Sequence, residues 1–175
     1  MVSCNEVMLS IRPHWCYEII RGRKDLEIRR NKPKLQTPFK CYIYCTKDDG
    51  GQCPLYGLGD ECLWLDGERT HYASQEVIAE FTCDEIIQVY PYMPNMQEIE
   101  RRSCLTNKQI FDYLLGPGYG WHIKDLKIYK PTLKVSDFCN GSSVFTFDKD
   151  GRTVYTGMKR APQSWGYVEK VYKEV

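Results

Sequence analysis

The sequence predicts an α+β domain, a small β-barrel with two or three flanking helices, and three observations carry that expectation. Short runs of β-branched and aromatic residues recur at even spacing along the chain. Only two or three helical stretches interrupt them. The 175 residues, 42% hydrophobic and 27% charged, suit one domain with a proper core.

Glu6 to Ile11 reads as the opening strand, and Pro13 then suits the first position of a helix. His14 to Arg21 supplies one or two turns, with Trp15, Ile19 and Ile20 largely on one face and Gly22 as the stop. From Lys24 to Arg30, Leu26 and Ile28 alternate with Glu27 and Arg29, the period of a half-buried strand. Leu26 and Ile28 go to the core, which puts Glu27 and Arg29 together on the other face. Phe39 to Thr46 is a further strand, rich in Tyr and Ile.

Residues 47–75 hold five glycines, clustered acids and little periodicity, so they read as a loop-rich excursion with a small hairpin around Leu63 to His71. Val77 to Val89 returns to strand, with Val77, Ala79, Phe81 and Cys83 on one side. Thr106 to Leu115 is the clearest helix: Thr106 caps it, Gln109 completes a capping box, Gly116 closes it, and Ile110, Tyr113 and Leu114 form its buried stripe. Gly116 to Gly120 reads as a mobile turn before a strand from Trp121 to Tyr129. A hairpin joins 142–147 to 153–157, and Trp165 to Tyr172 is the last strand.

Nine cysteines without a secretory leader argue against a disulfide framework. Several sit inside strands, where a reduced cysteine fills core. The alternative, zinc on Cys41, Cys45, Cys53 and Cys62, lacks the paired knuckles of structural zinc sites. No apolar run approaches a membrane span, so the expected location is the cytoplasm, with no membrane partner. No phosphate loop or dinucleotide fingerprint is present, and no cofactor is implied.

Net charge is +1, but Lys and Arg outnumber Asp and Glu by 9 to 4 in residues 1–40 and 13 to 7 in 101–175, against 2 to 12 between. If both ends join one sheet, their cations share a face. Charge blocks also arise simply as solvated surface.

Gly22-Arg23-Lys24-Asp25-Leu26-Glu27-Ile28-Arg29 matches the G-x-K-x-x-E-x-R pattern of the ASCH domain family, set between a short helix and a strand. Leu9 to Pro13 resembles that family's opening strand and turn. Gly120 to Ile123 and Pro162 to Glu169 resemble segments of its longer phage and prophage members. The resemblance spans residues 1–175 as one domain, apart from the excursion. It implies a PUA-like fold, a cleft at the signature and RNA as ligand. Some small members resemble amidohydrolases of 4-acetylcytidine, with a lysine and a nearby threonine of the signature and a distant glutamate as catalytic groups. Lys24 keeps the lysine, whereas Glu27 stands at the threonine position and offers no hydroxyl nucleophile.

On that footing Lys24, exposed at its corner, suits a phosphate or base chemistry, or is an ordinary surface lysine. Glu27 and Arg29 touch ligand or form a structural pair that orients Lys24. Arg12 and Arg30 extend a positive rim. Trp121 or His122 faces a cleft and stacks a base, or the two are core tryptophan and hydrogen-bonded histidine; Ser164 and Trp165 carry the same alternatives. A Ser164–His122–acid triad lacks a nucleophile elbow. The leading expectation is a module binding RNA or a nucleotide. The second is a hydrolase of a modified nucleoside or RNA through Lys24 and Glu27, and the third a phage protein gripping a partner through residues 47–75.

Overall fold

The computed structural model describes residues 4–47, 64–65, 68–69, 75–143, 145–147, 149–151 and 153–171. Strand β1 (Glu6–Ile11) leads into helix α1 (Pro13–Ile20), followed by β2 (Leu26–Arg29) and β3 (Phe39–Cys45). A two-residue pair, β4 (Trp64–Leu65) and β5 (Glu68–Arg69), lies within the expected hairpin; the remainder of residues 48–74 is outside the described residues, Cys53 and Cys62 included. The chain continues through β6 (Glu76–Cys83), β7 (Ile86–Val89), α2 (Met96–Ser103), α3 (Asn107–Leu114), β8 (Gly118–His122) and β9 (Lys124–Leu133). A 3₁₀ turn precedes β10 (Phe138–Cys139), then come β11 (Phe145–Phe147), β12 (Thr153–Tyr155) and β13 (Trp165–Lys170).

The architecture is α+β: a curled half-barrel sheet with three helices. Six strands run in the order β10-β13-β1-β3-β6-β9, with β1 parallel to β3 and the other neighbours antiparallel. A second sheet, β2-β8-β7, is antiparallel throughout. The two termini thus meet in one sheet, since β13 pairs with β1.

Alternation in the strands sorts side chains into three clusters. Val7, Leu9 and Ile11 face the central core with Cys16 and Ile19 of α1, while Met8 between them joins Tyr42, Phe138 and Val168 on the far face of the sheet. Leu26 and Ile28 pack with Val89 against Met96 and Ile99 of α2 and Ile110 and Leu114 of α3. Register between β6 and β9 shifts at Val77/Ala79. Val77 consequently joins the far-face cluster instead of Ala79, Phe81 and Cys83. Cys41, Cys45 and Cys83 are core residues, and no metal-holding group of His, Cys, Asp or Glu occurs among the described residues. No described helix is long and apolar enough to cross a membrane.

Four features depart from the sequence reading. Gly118 and Gly120 are not in a turn; they sit within β8, between β2 and β7. A Cβ on Gly118 would lie 2.4 Å from a methyl of Leu114 and 2.9 Å from the Arg29 carbonyl oxygen, so glycine is what lets α3 close over the strand. Helix α2 is another: Met-Gln-Glu-Ile-Glu-Arg-Arg-Ser has only Met96 and Ile99 as apolar anchors, too few for a periodic signal. Helix α3 has the expected capping box, with Thr106 Oγ1 accepting from the Gln109 amide and Gln109 Oε1 from the Thr106 amide. Its end is Leu115 in a left-handed conformation (φ +56°) rather than Gly116. Tyr113, expected in the buried stripe, is 37% exposed.

Candidate nucleic-acid interface

In an antiparallel pair, residues opposite one another point to the same side. Glu27 stands opposite Trp121 and Arg29 opposite Tyr119. These four therefore share the face of the small sheet turned from α2 and α3. Leu26 and Ile28 occupy the helix-facing side, as the alternation requires.

The expected opposite face is not a solvated one. Lys24, Glu27 and Arg29 are only 2%, 6% and 7% exposed: Arg29 is closed in by Ser10 of the large sheet and by Ser164, and Lys24 by Ser103 at the end of α2 and the Trp15 ring of α1. Burying three ionised groups is tolerable only when each is paired and hydrogen-bonded. That condition is nearly met. Lys24 Nζ lies 3.1 Å from Glu27 Oε2 and donates to the carbonyls of Leu26 (2.9 Å) and Ser103 (2.8 Å). Arg29 Nη2 lies 2.9 Å from Glu27 Oε1 and donates to the Ser10 carbonyl at 2.9 Å; Nη1 donates to Ser164 Oγ at 3.1 Å. Arg29 Nε is buried and keeps no hydrogen-bond partner, as does Trp121 Nε1.

Lys24 is therefore not the exposed corner lysine of the sequence reading. Gly22, with φ +70°, turns the chain so that Lys24 doubles back beneath the helix, and its three donors all find acceptors. Its Nζ also stands 5.5 Å from the Trp15 ring centroid. Burial pushes the Glu27 carboxyl up, but Lys24 and Arg29 outweigh it and hold the group below the usual carboxylate range. Two cations against one carboxylate leave the cluster with a net positive charge.

Above this cluster opens a cleft of about 900 Å³. Lys24, Glu27 and Arg29 line its floor, Arg12 and Arg30 its basic rim, and Ser164 and Trp165 one wall. Ser10, Trp15, Gln109, Tyr113 and Gln163 also line it, and the sequence pattern singled out none of them as site residues. Trp15 and Tyr113 read there as helix packing positions, and only the tertiary approach of α1 and α3 brings them to one opening. Arg30 Nε donates to the Tyr113 carbonyl at 2.8 Å and its guanidinium lies 5.2 Å from that ring's centroid, so the rim is partly preformed.

Trp121 and His122 lie elsewhere. Trp121 is fully buried in the central core, edge-on to Phe39 and 5.7 Å from Trp165, so it supports the wall and presents no face for stacking. His122, one residue on, points to the other side of the sheet, and its Nδ1 pairs with Asp84 Oδ1 at 2.6 Å. Opposite faces of β8 thus separate His122 from Ser164, and the triad cannot assemble.

No family model matches the sequence, and no curated protein matches it. Solved structures do. The ASCH protein from Zymomonas mobilis superposes with a TM-score of 0.59 at 17% identity, over 96% of this chain and 90% of that one. A serine-to-alanine variant of it gives 0.57 at 16%, over 97% and 92%. A tyrosine-to-phenylalanine variant gives 0.53 at 17%, over 75% and 76%.

Proposed function

We propose that this chain, which has the PUA-like fold of the ASCH domain, binds a nucleotide of a nucleic acid, RNA foremost, in the cleft over Lys24, Glu27 and Arg29. One observation carries the reading: a buried, net-positive cluster forms the floor of an open cleft whose rim is basic and whose walls are aromatic. Rim guanidiniums take phosphate oxygens, which give affinity without sequence information. Trp165 and Tyr113 offer ring surface to a base. Arg29 contributes positive charge at the floor, its guanidinium fixed by Glu27, Ser10 and Ser164. Lys24 and Glu27 act as positioning residues, fixing the guanidinium beside them.

Hydrolysis through Lys24 and Glu27 is the weaker reading. Lys24 Nζ already meets three acceptors, and a carboxylate held ionised by two cations has no proton to give as a general acid.

The test is binding of a labelled mixed-sequence RNA pool to the wild type and to the Arg12→Ala/Arg30→Ala double variant at two salt concentrations. The expected result is affinity that falls with salt, with a shallower salt dependence in the variant. No binding of RNA, single-stranded DNA or nucleoside at low salt would sink the reading.

A further inference from the structure

Beyond β2, which ends at Arg29, the chain leaves the cleft as an irregular segment, Arg30-Asn31-Lys32-Pro33-Lys34, where Pro33 is buried and the other four residues are exposed. Every second residue here is a cation; the first two hold their charge over a tyrosine ring, and the third is tethered to a tyrosine through its backbone, the three tyrosines coming from different elements. Arg30 lies over Tyr113 of α3 at 5.2 Å, and Lys32 Nζ lies 5.4 Å from the Tyr119 centroid of β8. The Lys34 backbone amide donates to the Tyr167 hydroxyl at 2.7 Å. A second row of rings flanks the segment: Trp165 on the cleft wall packs edge-on to Tyr167 at 5.6 Å.

We infer that residues 30–34 form a track by which a single-stranded nucleic acid leaves the cleft, its phosphates on Arg30, Lys32 and Lys34 and its bases against the tyrosines. The inference rests on the cleft reading and extends it from one nucleotide to a strand. Alternating cation and ring is the arrangement that single strands recognise, because phosphates need charge and every base has a stackable face. Two residues of chain span at most about 7 Å, which keeps the three cations in one short row. Tethering at Tyr167 and burial of Pro33 hold that row in place before any ligand arrives, which lowers the ordering cost of binding. The acidic stretch of the chain, residues 41–100, contributes none of these groups.

The experiment measures affinity for mixed-sequence oligoribonucleotides of one, two, four and eight residues, using the wild type and a Lys32→Ala/Lys34→Ala variant. Both lysines are exposed and outside the cleft lining, and circular dichroism checks the fold. Expected is an affinity that climbs at least tenfold between one and four nucleotides in the wild type. In the variant that climb should shrink to threefold or less while binding of the mononucleotide stays put, and the salt slope should fall by about 1.4 for two lost single-strand phosphates. Equal length dependence in both proteins would overturn the track and leave the cleft reading standing. Absence of binding at every length would overturn both. An equal, lysine-dependent gain with polyglutamate of matching charge would overturn nucleic acid as the occupant.

Discussion

Lys24 Nζ and Ser103 O, 79 positions apart in sequence, are 2.8 Å apart in the fold. This one hydrogen bond fastens the end of α2 to the floor of the cleft. Its partner bonds, to the Leu26 carbonyl and to Glu27, fix the first two residues of β2 at the same point.

Lys24→Met should therefore act on stability before it acts on binding. It strands two carbonyls and leaves Glu27 with Arg29 alone. Removing one partner of a buried ion pair costs about 3–5 kcal/mol, and the loss should appear as a lower urea midpoint with an unchanged slope. Lys24→Met with wild-type stability would mean that the cluster is not held as described.

Acid should loosen the same cluster. Glu27 has a folded pKa below its usual value of 4.5, so the unfolded chain binds more protons than the native one as pH falls past that point. Its contribution is fully present above the unfolded pKa and is lost as pH drops through the folded one. Urea midpoints measured from pH 6 to 2.5 should fall below about pH 4.5 in the wild type. The fall should be shallower in Glu27→Gln, whose group does not titrate; equal slopes would assign the acid sensitivity to other carboxylates.

Legibility in the sequence followed the range of the interactions. The bounds of β1, the Pro13 start of α1 and the capping box at Thr106 depend on neighbours within four residues, and they stand where the pattern places them, while α1 ends one residue early at Ile20. Lys24 reads as exposed because its burial depends on Ser103, 79 positions away, and on the Trp15 ring, which no local pattern reports. The glycines of β8 carry the opposite lesson. Locally Gly-Pro-Gly-Tyr-Gly spells a turn, yet Leu114 and the Arg29 carbonyl leave no room for a Cβ at 118, and Leu26 leaves little at 120. Glu27 and Arg29 share one face, as their alternation requires, but what covers that face is not written in it.

Gly118→Ala tests that packing argument. The new methyl would meet Leu114, which can shift, and the Arg29 carbonyl, which is ladder backbone and can shift little. Overpacking of this kind costs about 1–3 kcal/mol, so the thermal midpoint should drop by several degrees. Gly120→Ala meets only the flexible Leu26 side chain at 3.0 Å and should be milder. The reverse order would show that β8 approaches α3 less closely than these distances state.

Two tryptophans in contact should part company under mutation. Trp165 lines the cleft and Trp121, its neighbour at 5.7 Å, is sealed beneath it. If base stacking uses the wall, Trp165→Ala should lower affinity for single-stranded RNA by roughly five- to a hundredfold, the range of one lost stack. Trp121→Phe removes a buried indole N–H that has no partner, along with some ring volume. It should alter stability while leaving the affinity of the folded protein unchanged. Titrations under conditions where both variants are more than nine-tenths folded separate the two effects. An affinity loss in Trp121→Phe as large as that in Trp165→Ala would place the ligand deeper than the cleft floor, and an unchanged Trp165→Ala would remove stacking from the account.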